Sequence, residues 1–346
     1  MSSEKISFSN LIKDVVDPSF CVGCGTCEAV CPVNVIKLEN YIPTLIRDCI
    51  ECGICYSNCP RTDFDGAEMD NKIHGRTRKD SENLTGIYSE VYAAKAVPQD
   101  IQDHAQDGGV VTALLTQFLA DGGDAVIVAG LEEDQAWVPN PVIAKTRAEV
   151  IKAAGTKYTP SPTLVGVKEA VKGQKLDKIA VVGTPCQITG LTRMTLGAKK
   201  NVKYGNAVDL KVGLFCMETF NHGSFMDYLS ENEVDVTKVT KFEIKKGRFY
   251  AHNGEERLHR ARLKKVKKLI RSCCAHCGDF ANEFADISVG NVGSDPGYST
   301  VLVRTDRGKQ ALDKAVGFGL IEIGPIEDFE KGESLVHKLA EMKRSH

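Results

Sequence analysis

The stretch CVGCGTCEAVCP, residues 21–32, returns as CIECGICYSNCP at residues 49–60, and this duplication decides how the N-terminal part of the chain folds. Each copy spaces its cysteines as Cys-x2-Cys-x2-Cys-x3-Cys-Pro. Three thiolates on one tight loop converge on one four-iron cubane, while the fourth, held at a proline-terminated turn, reaches the neighbouring cluster. The pattern therefore assigns Cys21, Cys24, Cys27 and Cys59 to one 4Fe-4S cluster, and Cys49, Cys52, Cys55 and Cys31 to a second. Crossed ligation explains why both copies are needed. A structural zinc site, the plain alternative, uses four ligands in pairs and requires neither the eight cysteines nor the prolines. Gly23, Gly25 and Gly53 either bring backbone N–H groups to the sulfides, which stabilises the reduced cluster, or simply make turns.

Around this repeat the chain has 346 residues, 42% of them hydrophobic and 26% charged, as in ordinary globular proteins. Thirteen cysteines, eight of them before residue 60, favour metal ligation over disulfides in a reducing compartment. A net charge of −2 argues against a general nucleic-acid partner. No apolar run reaches the ~18 residues of a transmembrane segment, and the start MSSEKISFSN lacks the pattern of a secretory signal. The expected location is cytoplasmic, with any attachment to the inner face of a membrane made through partner subunits.

Three segments are expected: a two-cluster domain at 1–62, a polar linker at 63–85 (RTDFDGAEMDNKIHGRTRKDSENLT spans 61–85), and a larger domain at 86–346. In the last, apolar runs at 91–97, 125–129, 178–182, 210–215, 287–289 and 300–304 read as strands. Helical patterns fill 109–119 and 307–316. A hairpin-like region at 241–266, with Asn253-Gly254 as its turn, implies mixed pairing. The fold class is α/β (α+β) in two domains, the second built on a mixed sheet.

The remaining cysteines are dispersed. Cys186 follows the strand KIAVV in GTPCQ, Cys216 ends KVGLFC, and Cys274 and Cys277 form a Cys-x2-Cys pair in SCCAHCGDF. Four thiolates from three segments can meet at one sheet edge, the count for a third 4Fe-4S cluster. Buried cysteines acting as small hydrophobes are the alternative. Cys273 competes with Cys274 as the ligand, and His276 reads as a surface or supporting histidine.

Over residues 15–62 the motifs resemble bacterial two-cluster ferredoxins. Over residues 86–346 the chain resembles the family of beta subunits of coenzyme F420 hydrogenases and dehydrogenases, through QDGGVVTALL, AGTKYTPSP, VVGTPCQITGL, GLFC, CAHCGDF, ADISVGNVG and STVLVRT in that order. With the two ferredoxin motifs in front, it looks most like the family's F420H2 dehydrogenase input subunits. The resemblance implies a bound FAD, coenzyme F420 as substrate, and a cluster on the four dispersed cysteines. Candidate flavin contacts are Gly108, Gly109 and Thr112 at a helix start, then Gly155, Thr156, Lys157, Tyr158 and Ser161 in a proline-stiffened loop. Gly183, Thr184, Pro185 and Gln187 form a third group, and Ser288, Gly290, Asn291 and Gly293 a fourth. Each also reads as an ordinary turn or surface residue. No G-x-G-x-x-G follows the first strand, so a nicotinamide site gets no support.

The expected function is oxidation of reduced F420 by hydride transfer to FAD, with no side-chain acid or base required. Three clusters then deliver single electrons to a membrane-bound, complex I-like F420H2 dehydrogenase complex or to a ferredoxin. A ferredoxin-dependent reductase of another organic substrate, and a non-catalytic wiring subunit, are the competing readings. The eight Lys and Arg between Arg257 and Arg271 steer an anionic substrate, dock an acidic partner, or form a solvated face.

Overall fold

A computed structural model describes residues 5–132 and 135–345. In the duplicated segment Gly25 and Gly53 adopt left-handed backbone, φ +88° and +67°, and open the short helices Thr26–Val30 and Ile54–Asn58. A Cβ on Gly25 would stand 2.8 Å from the Val165 side chain, and one on Gly53 2.6 Å from the Ile6 carbonyl oxygen. Turn geometry and close approach thus account for both glycines. Strands β1 (Ile36–Glu39) and β2 (Ile42–Leu45) form an antiparallel hairpin between the two repeats.

Eleven further strands follow among the described residues: β3 (Glu90–Ala96), β4 (Ala125–Leu131), β5 (Pro139–Ala144), β6 (Ile179–Gly183), β7 (Val208–Leu214), β8 (Lys241–Lys245), β9 (Arg248–Asn253), β10 (Glu256–Arg262), β11 (Ile287–Gly290), β12 (Ser299–Val303) and β13 (Ile321–Pro325). Eight of them make one sheet in the order β13-β3-β12-β11-β7-β6-β4-β5. The centre, β11-β7-β6-β4, is parallel, and the strands outside it pair antiparallel. Every residue of β6 is buried, as a strand covered on both faces must be. The margins β5 and β13 carry Pro, Asn or Glu, so their apolar signal is weak. The expected hairpin at 241–266 is instead a three-stranded antiparallel sheet, β10-β9-β8, because β8 joins the pair closed at Gly254.

Alternate residues of the central strands feed two cores. Val126, Val128, Ala180 and Val182 pack with the helices Val110–Ala120 and Asp306–Gly317. Ile127, Ile179 and Val181 face the opposite side and pack with Phe8, Leu11, Val30, Ile36 and Met69 of the cysteine-rich segment. That segment is therefore a layer covering one face of the sheet and shares a core with it.

Residues 63–85, expected as a linker, hold the helix Gly66–His74, capped by the Asp65 carboxylate. Its Met69 is buried, and Arg78 bonds both Asp70 and Glu283. The polarity of this stretch reflects buried ion pairs and one exposed helix face, not a loose connection.

Candidate electron-transfer site

Among the eight N-terminal thiols, Cys31 lies with Cys49, Cys52 and Cys55, and Cys59 lies with Cys24 and Cys21. Burial pushes the Cys24 thiol up to about 12, and the nearby charges that add to this are Cys59 and Cys21. Cys27 is raised by burial and by Cys24, Cys59, Cys21 and Cys55. Cys55, pushed up to about 11 by burial, is further raised by Cys49, Cys52 and Cys31. The second set lines a cavity of its own, in which Cys31, Cys49, Cys52 and Cys55 converge with Val33, Ile36 and Ile50. All thirteen cysteines are free thiols. Among the described residues no three His, Cys, Asp or Glu side chains close on a single metal ion. Four thiols per set suit a cubane, which is held by four cysteines.

The dispersed cysteines meet at the carboxyl ends of the parallel strands. Gly183 of β6 pairs with Gly213 of β7, so Thr184-Pro185-Cys186 and Phe215-Cys216 leave the sheet side by side. Cys186 lies 3.3 Å from the Thr184 hydroxyl and is pushed up to about 12 by burial and then by Cys277. Cys216 is raised well above the ordinary range by burial and by Cys186, Cys274 and Cys277. Cys186, Cys216, Cys274 and Cys277 thus lie near one another. Cys273 is 2% exposed, and it too lies near Cys186 and Cys274. Cys274 is lowered by the thiol of Cys273 and by the N–H of Thr219. His276 is exposed and packs on the Phe20 ring at 4.3 Å.

Sequence reading missed three supports of this set. Lys343, buried on the helix Gly332–Arg344, donates to the carbonyls of Met217 and Cys274 and places a cation beside three of the thiols. Asn282, fully buried at φ +65°, donates to the Gly183 and Leu214 carbonyls and locks the two strand ends together. Gly213 must be glycine here, since a Cβ would stand 2.4 Å from the Asn282 side chain.

The third support is Arg193, on the helix Pro185–Leu196 that starts beside Cys186. Its guanidinium makes five hydrogen bonds to the carbonyls of Ser57, Cys59, Thr62 and Asp63. Arg271 binds the Val22 and Cys21 carbonyls at 2.7 and 3.0 Å, and Arg61 donates to the carbonyls of Phe20 and Cys273. These clamps hold the first thiol set against the dispersed set, and Cys186 feels the charge of Cys24. The sequence carries no signal for them, because each arginine acts across more than a hundred positions.

The expected flavin contacts divide by use. Gly108 packs so tightly that a Cβ would lie 2.6 Å from Ser299 N and 2.7 Å from the Ala94 carbonyl. Gly290 faces the Phe215 ring, and Gly293 the Gly332 carbonyl. Ser288 bonds the Asn282 carbonyl and accepts from Arg304. Packing accounts for these four. Gln187 bonds Thr184 through its oxygen, and Ser161 and Thr163 through its nitrogen, so it ties the 155–163 loop to the strand β6 end. Pro185 opens the same helix. Tyr158, at φ +59°, accepts from the Ile244 N–H and stacks near Phe220, pinning the small sheet to the large one.

The other candidates are held by further contacts or face open space. Gly109, at φ +70°, opens the helix in which Thr112 is buried. Beside it Asp107 is raised by burial, opposed first by a hydrogen bond from Asn291. Gly155 has open space where a side chain would be, and the N–H of Thr156 bonds Gln106. Lys157 donates to three carbonyls, and burial lowers it to about 8. Thr159 Oγ1 and Asn282 Oδ1 are buried without hydrogen-bond partners. An orphaned buried oxygen costs about 1–3 kcal/mol, so both fit a site shaped for a group with polar edges, as a flavin has.

Residues 91–168 and 176–329 match the N-terminal and C-terminal models of the coenzyme F420 hydrogenase/dehydrogenase beta subunit, and residues 14–37 match a 4Fe-4S binding domain. The chain is 31% identical over 353 residues to an F(420)H(2) dehydrogenase component of Methanosarcina mazei, covering 96% of this chain and 92% of that one. It belongs to the family of coenzyme F420 hydrogenase/dehydrogenase beta subunits. A coenzyme F420-dependent sulfite reductase of Methanocaldococcus jannaschii is 36% identical over 337 residues, 92% of this chain, which spans only about half (50%) of that protein's length. The xenon-derivatised F420-reducing NiFe hydrogenase complex of Methanosarcina barkeri contains a chain of the same fold. Its TM-score is 0.72 at 37% identity, over 76% of this chain and 90% of that one. Family members thus share the sheet and its edge. No helix among the described residues is long and apolar enough to cross a membrane.

Proposed function

We propose that this chain is an F420-dependent oxidoreductase that takes a hydride from reduced coenzyme F420 with FAD bound and releases single electrons, through three 4Fe-4S clusters, to a partner redox protein. A bound flavin converts a two-electron donor into a one-electron source, and the clusters carry one electron each. The observation that carries the reading is the succession of cysteines, with Cys24 near Cys186 and Cys55 near Cys27. The dispersed set sits at the sheet edge beside the candidate flavin residues, and Arg61, Arg193 and Arg271 hold it to the first ferredoxin set.

Each part of the chain has a task in this reading. The start of the helix Val110–Ala120, with Gly109 and Thr112, and the 155–161 loop, with Lys157 and the free Thr159 hydroxyl, hold the phosphates and ring edge of FAD. Cys186, Cys216, Cys274 and Cys277 hold the cluster nearest to it, with Lys343 offsetting its charge. Cys21, Cys24, Cys27 and Cys59 hold the next, and Cys31, Cys49, Cys52 and Cys55 the outermost. A groove of about 910 Å³ presents Arg248, Arg260, Arg262, Lys264, Lys265 and Lys268 against a single carboxylate, Glu231. It contains no cysteine and lies along β9 and β10, beyond the β8 strand that Tyr158 anchors, so its role is to draw in the anionic tail of F420, not to perform chemistry. The acceptor in this reading is a redox complex such as an F420H2 dehydrogenase, or a ferredoxin. With no spanning helix of its own among the described residues, the chain reaches a membrane through that acceptor, on its cytoplasmic side.

The deciding experiment purifies the chain without oxygen and measures its content and activity together. About twelve iron and one FAD per chain are expected from three clusters, with loss of reduced F420 absorbance when methyl viologen is the acceptor. About eight iron removes the dispersed-cysteine cluster. Full iron with no flavin and no F420 oxidation leaves only a wiring subunit.

A further inference from the structure

The turn that brings Cys59 to the first repeat carries more than a thiol. Arg61 follows in Cys59-Pro60-Arg61, so the chain that places Cys59 beside Cys24 and Cys21 places a guanidinium there too. The backbone N–H of Arg61 bonds the Cys59 thiol. Thr62 fixes the turn, its hydroxyl donating to the carbonyls of Tyr56 and Cys59 at 2.8 and 3.0 Å. From this anchor the half-buried Arg61 side chain spans two remote segments, donating through Nε to the Phe20 carbonyl at 3.3 Å and through Nη2 to the Cys273 carbonyl. Phe20 precedes Cys21, and Cys273 precedes Cys274. One planar group therefore binds the residue next to a thiol of each constellation.

The same seam is closed from the other side. Arg271 reaches the Cys21 and Val22 carbonyls, the Phe20 ring packs on His276 at 4.3 Å, and the Ser272 hydroxyl bonds the Ser19 carbonyl at 3.3 Å. Arg61 is thus held between the segments, and its charge is felt both by Cys21 and by Cys277. Arg271 reinforces it, acting on Cys21 and Cys273. Lys343 and Arg193 are one-sided by comparison: the first acts on Cys216, Cys274 and Cys277, the second on Cys59. Asp279, the charge of opposite sign at Cys277, is held by the N–H groups of Asn282 and Glu283 on the dispersed side.

A cation beside a cluster stabilises its reduced, more negative form and so raises its reduction potential. Lys343, near the electron-giving cluster, holds the electron back, and Arg193, near the receiving one, draws it forward. A cation in the seam does neither, because the electron stays within its field before and after the step. We propose that Arg61 is a shared potential-setting residue, which makes the dispersed cluster and the first ferredoxin cluster easier to reduce together and leaves the gap between them unchanged. This rests on the reading that Cys186, Cys216, Cys274 and Cys277 hold one cluster and Cys21, Cys24, Cys27 and Cys59 the next. The step itself moves one electron from the first of these to the second. No bond or proton changes at Arg61.

The test titrates the full cluster-loaded chain with reductant and follows each cluster by paramagnetic resonance. The dispersed signal is the one that Cys274→Ser removes, and the first ferredoxin signal the one that Cys59→Ala removes. In Arg61→Gln both midpoint potentials should fall by a similar amount, about tenfold in the one-electron equilibrium or about 59 mV, while the outermost cluster keeps its wild-type value. Lys343→Met should lower the dispersed cluster alone. Arg61→Lys keeps the charge without the planar fork, so both potentials should stay within about twofold of wild type even where the melting temperature falls. A shift confined to one cluster, a shift shared equally by the outermost cluster, no shift at all, or equal shifts in Arg61→Lys and Arg61→Gln overturns the proposal. If Arg61→Gln does not load its iron, Arg61→Met, which keeps the apolar stem, is titrated in its place. Loss of iron in both makes Arg61 a structural clamp and also overturns the proposal. Wild-type iron below about twelve per chain instead overturns the underlying cluster reading, and that result is seen before any titration.

Discussion

The two thiol constellations of this chain solve one problem in opposite ways. The N-terminal eight are placed by local turns: Gly25 and Gly53 set two short helices, and each loop delivers three thiols from seven consecutive residues. The dispersed four are placed by the sheet. Cys186 and Cys216 stand together only because β6 and β7 are paired in register, and Cys274 and Cys277 arrive from a loop much further along the chain. A local site tolerates change elsewhere in the fold, because its thiols depend mainly on their own loop. A site built on a sheet edge gathers its thiols and its supports from remote segments, and it fails if those supports fail.

Removing thiols gives the largest effects and tests the crossing itself. Cys59→Ala, in the second repeat, should remove the cluster of the first repeat, and Cys31→Ala that of the second. In each, iron falls by about four per chain, and paramagnetic resonance of the reduced protein loses one cluster signal while the other keeps its line shape. Loss of the cluster belonging to the mutated repeat would contradict the crossed assignment. At the sheet edge, Cys274→Ser should likewise lose about four iron, while Cys273→Ser keeps them. The reverse result makes Cys273 the ligand.

How much of this was legible beforehand follows from the same contrast. Spacing along the chain places the eight thiols, and apolar runs ending in cysteine place Cys186 and Cys216, because those signals are local. The central strands were legible for the same reason, while β5 and β13 were not, since marginal strands need no continuous apolar run. Gly108, Gly290 and Gly293 read as room for a cofactor, and in the fold the space of their missing side chains is taken by Ser299, Phe215 and the Gly332 backbone. A missing side chain leaves the same trace in sequence whatever fills the space. Arg193, Asn282 and Lys343 left no trace at all, because their partners are remote carbonyls, which have no sequence identity.

Arg193 ranks next in expected effect, since it binds the local site to the sheet-built one. Arg193→Gln removes a buried cation and strands the carbonyls of Ser57, Cys59, Thr62 and Asp63, a loss of about 3 kcal/mol. The first cluster should then become harder to reduce, because a positive charge near Cys59 has gone, and its reduction potential should fall while that of the outermost cluster is unmoved. Arg193→Lys keeps the charge without the planar fork, so it should lose stability but retain most of the potential. Equal shifts in both clusters would assign Arg193 a merely general role in folding.

Tyr158→Phe is the smallest of these changes and separates two roles for one residue. As a pin, Tyr158 contributes one hydrogen bond, to the Ile244 N–H at 3.1 Å, and a ring packed near Phe220. Phenylalanine keeps the ring, so the loss is about 1 kcal/mol and the melting temperature falls by about 2 °C. FAD content and the rate of F420 oxidation should then match wild type. If the hydroxyl instead contacts the flavin, FAD content or its reduction potential changes while the melting temperature of the flavin-free protein does not. The pin is the role the geometry favours, because the hydroxyl is already committed to β8, which places the ring in the core of the small sheet and away from the open space at Gly155.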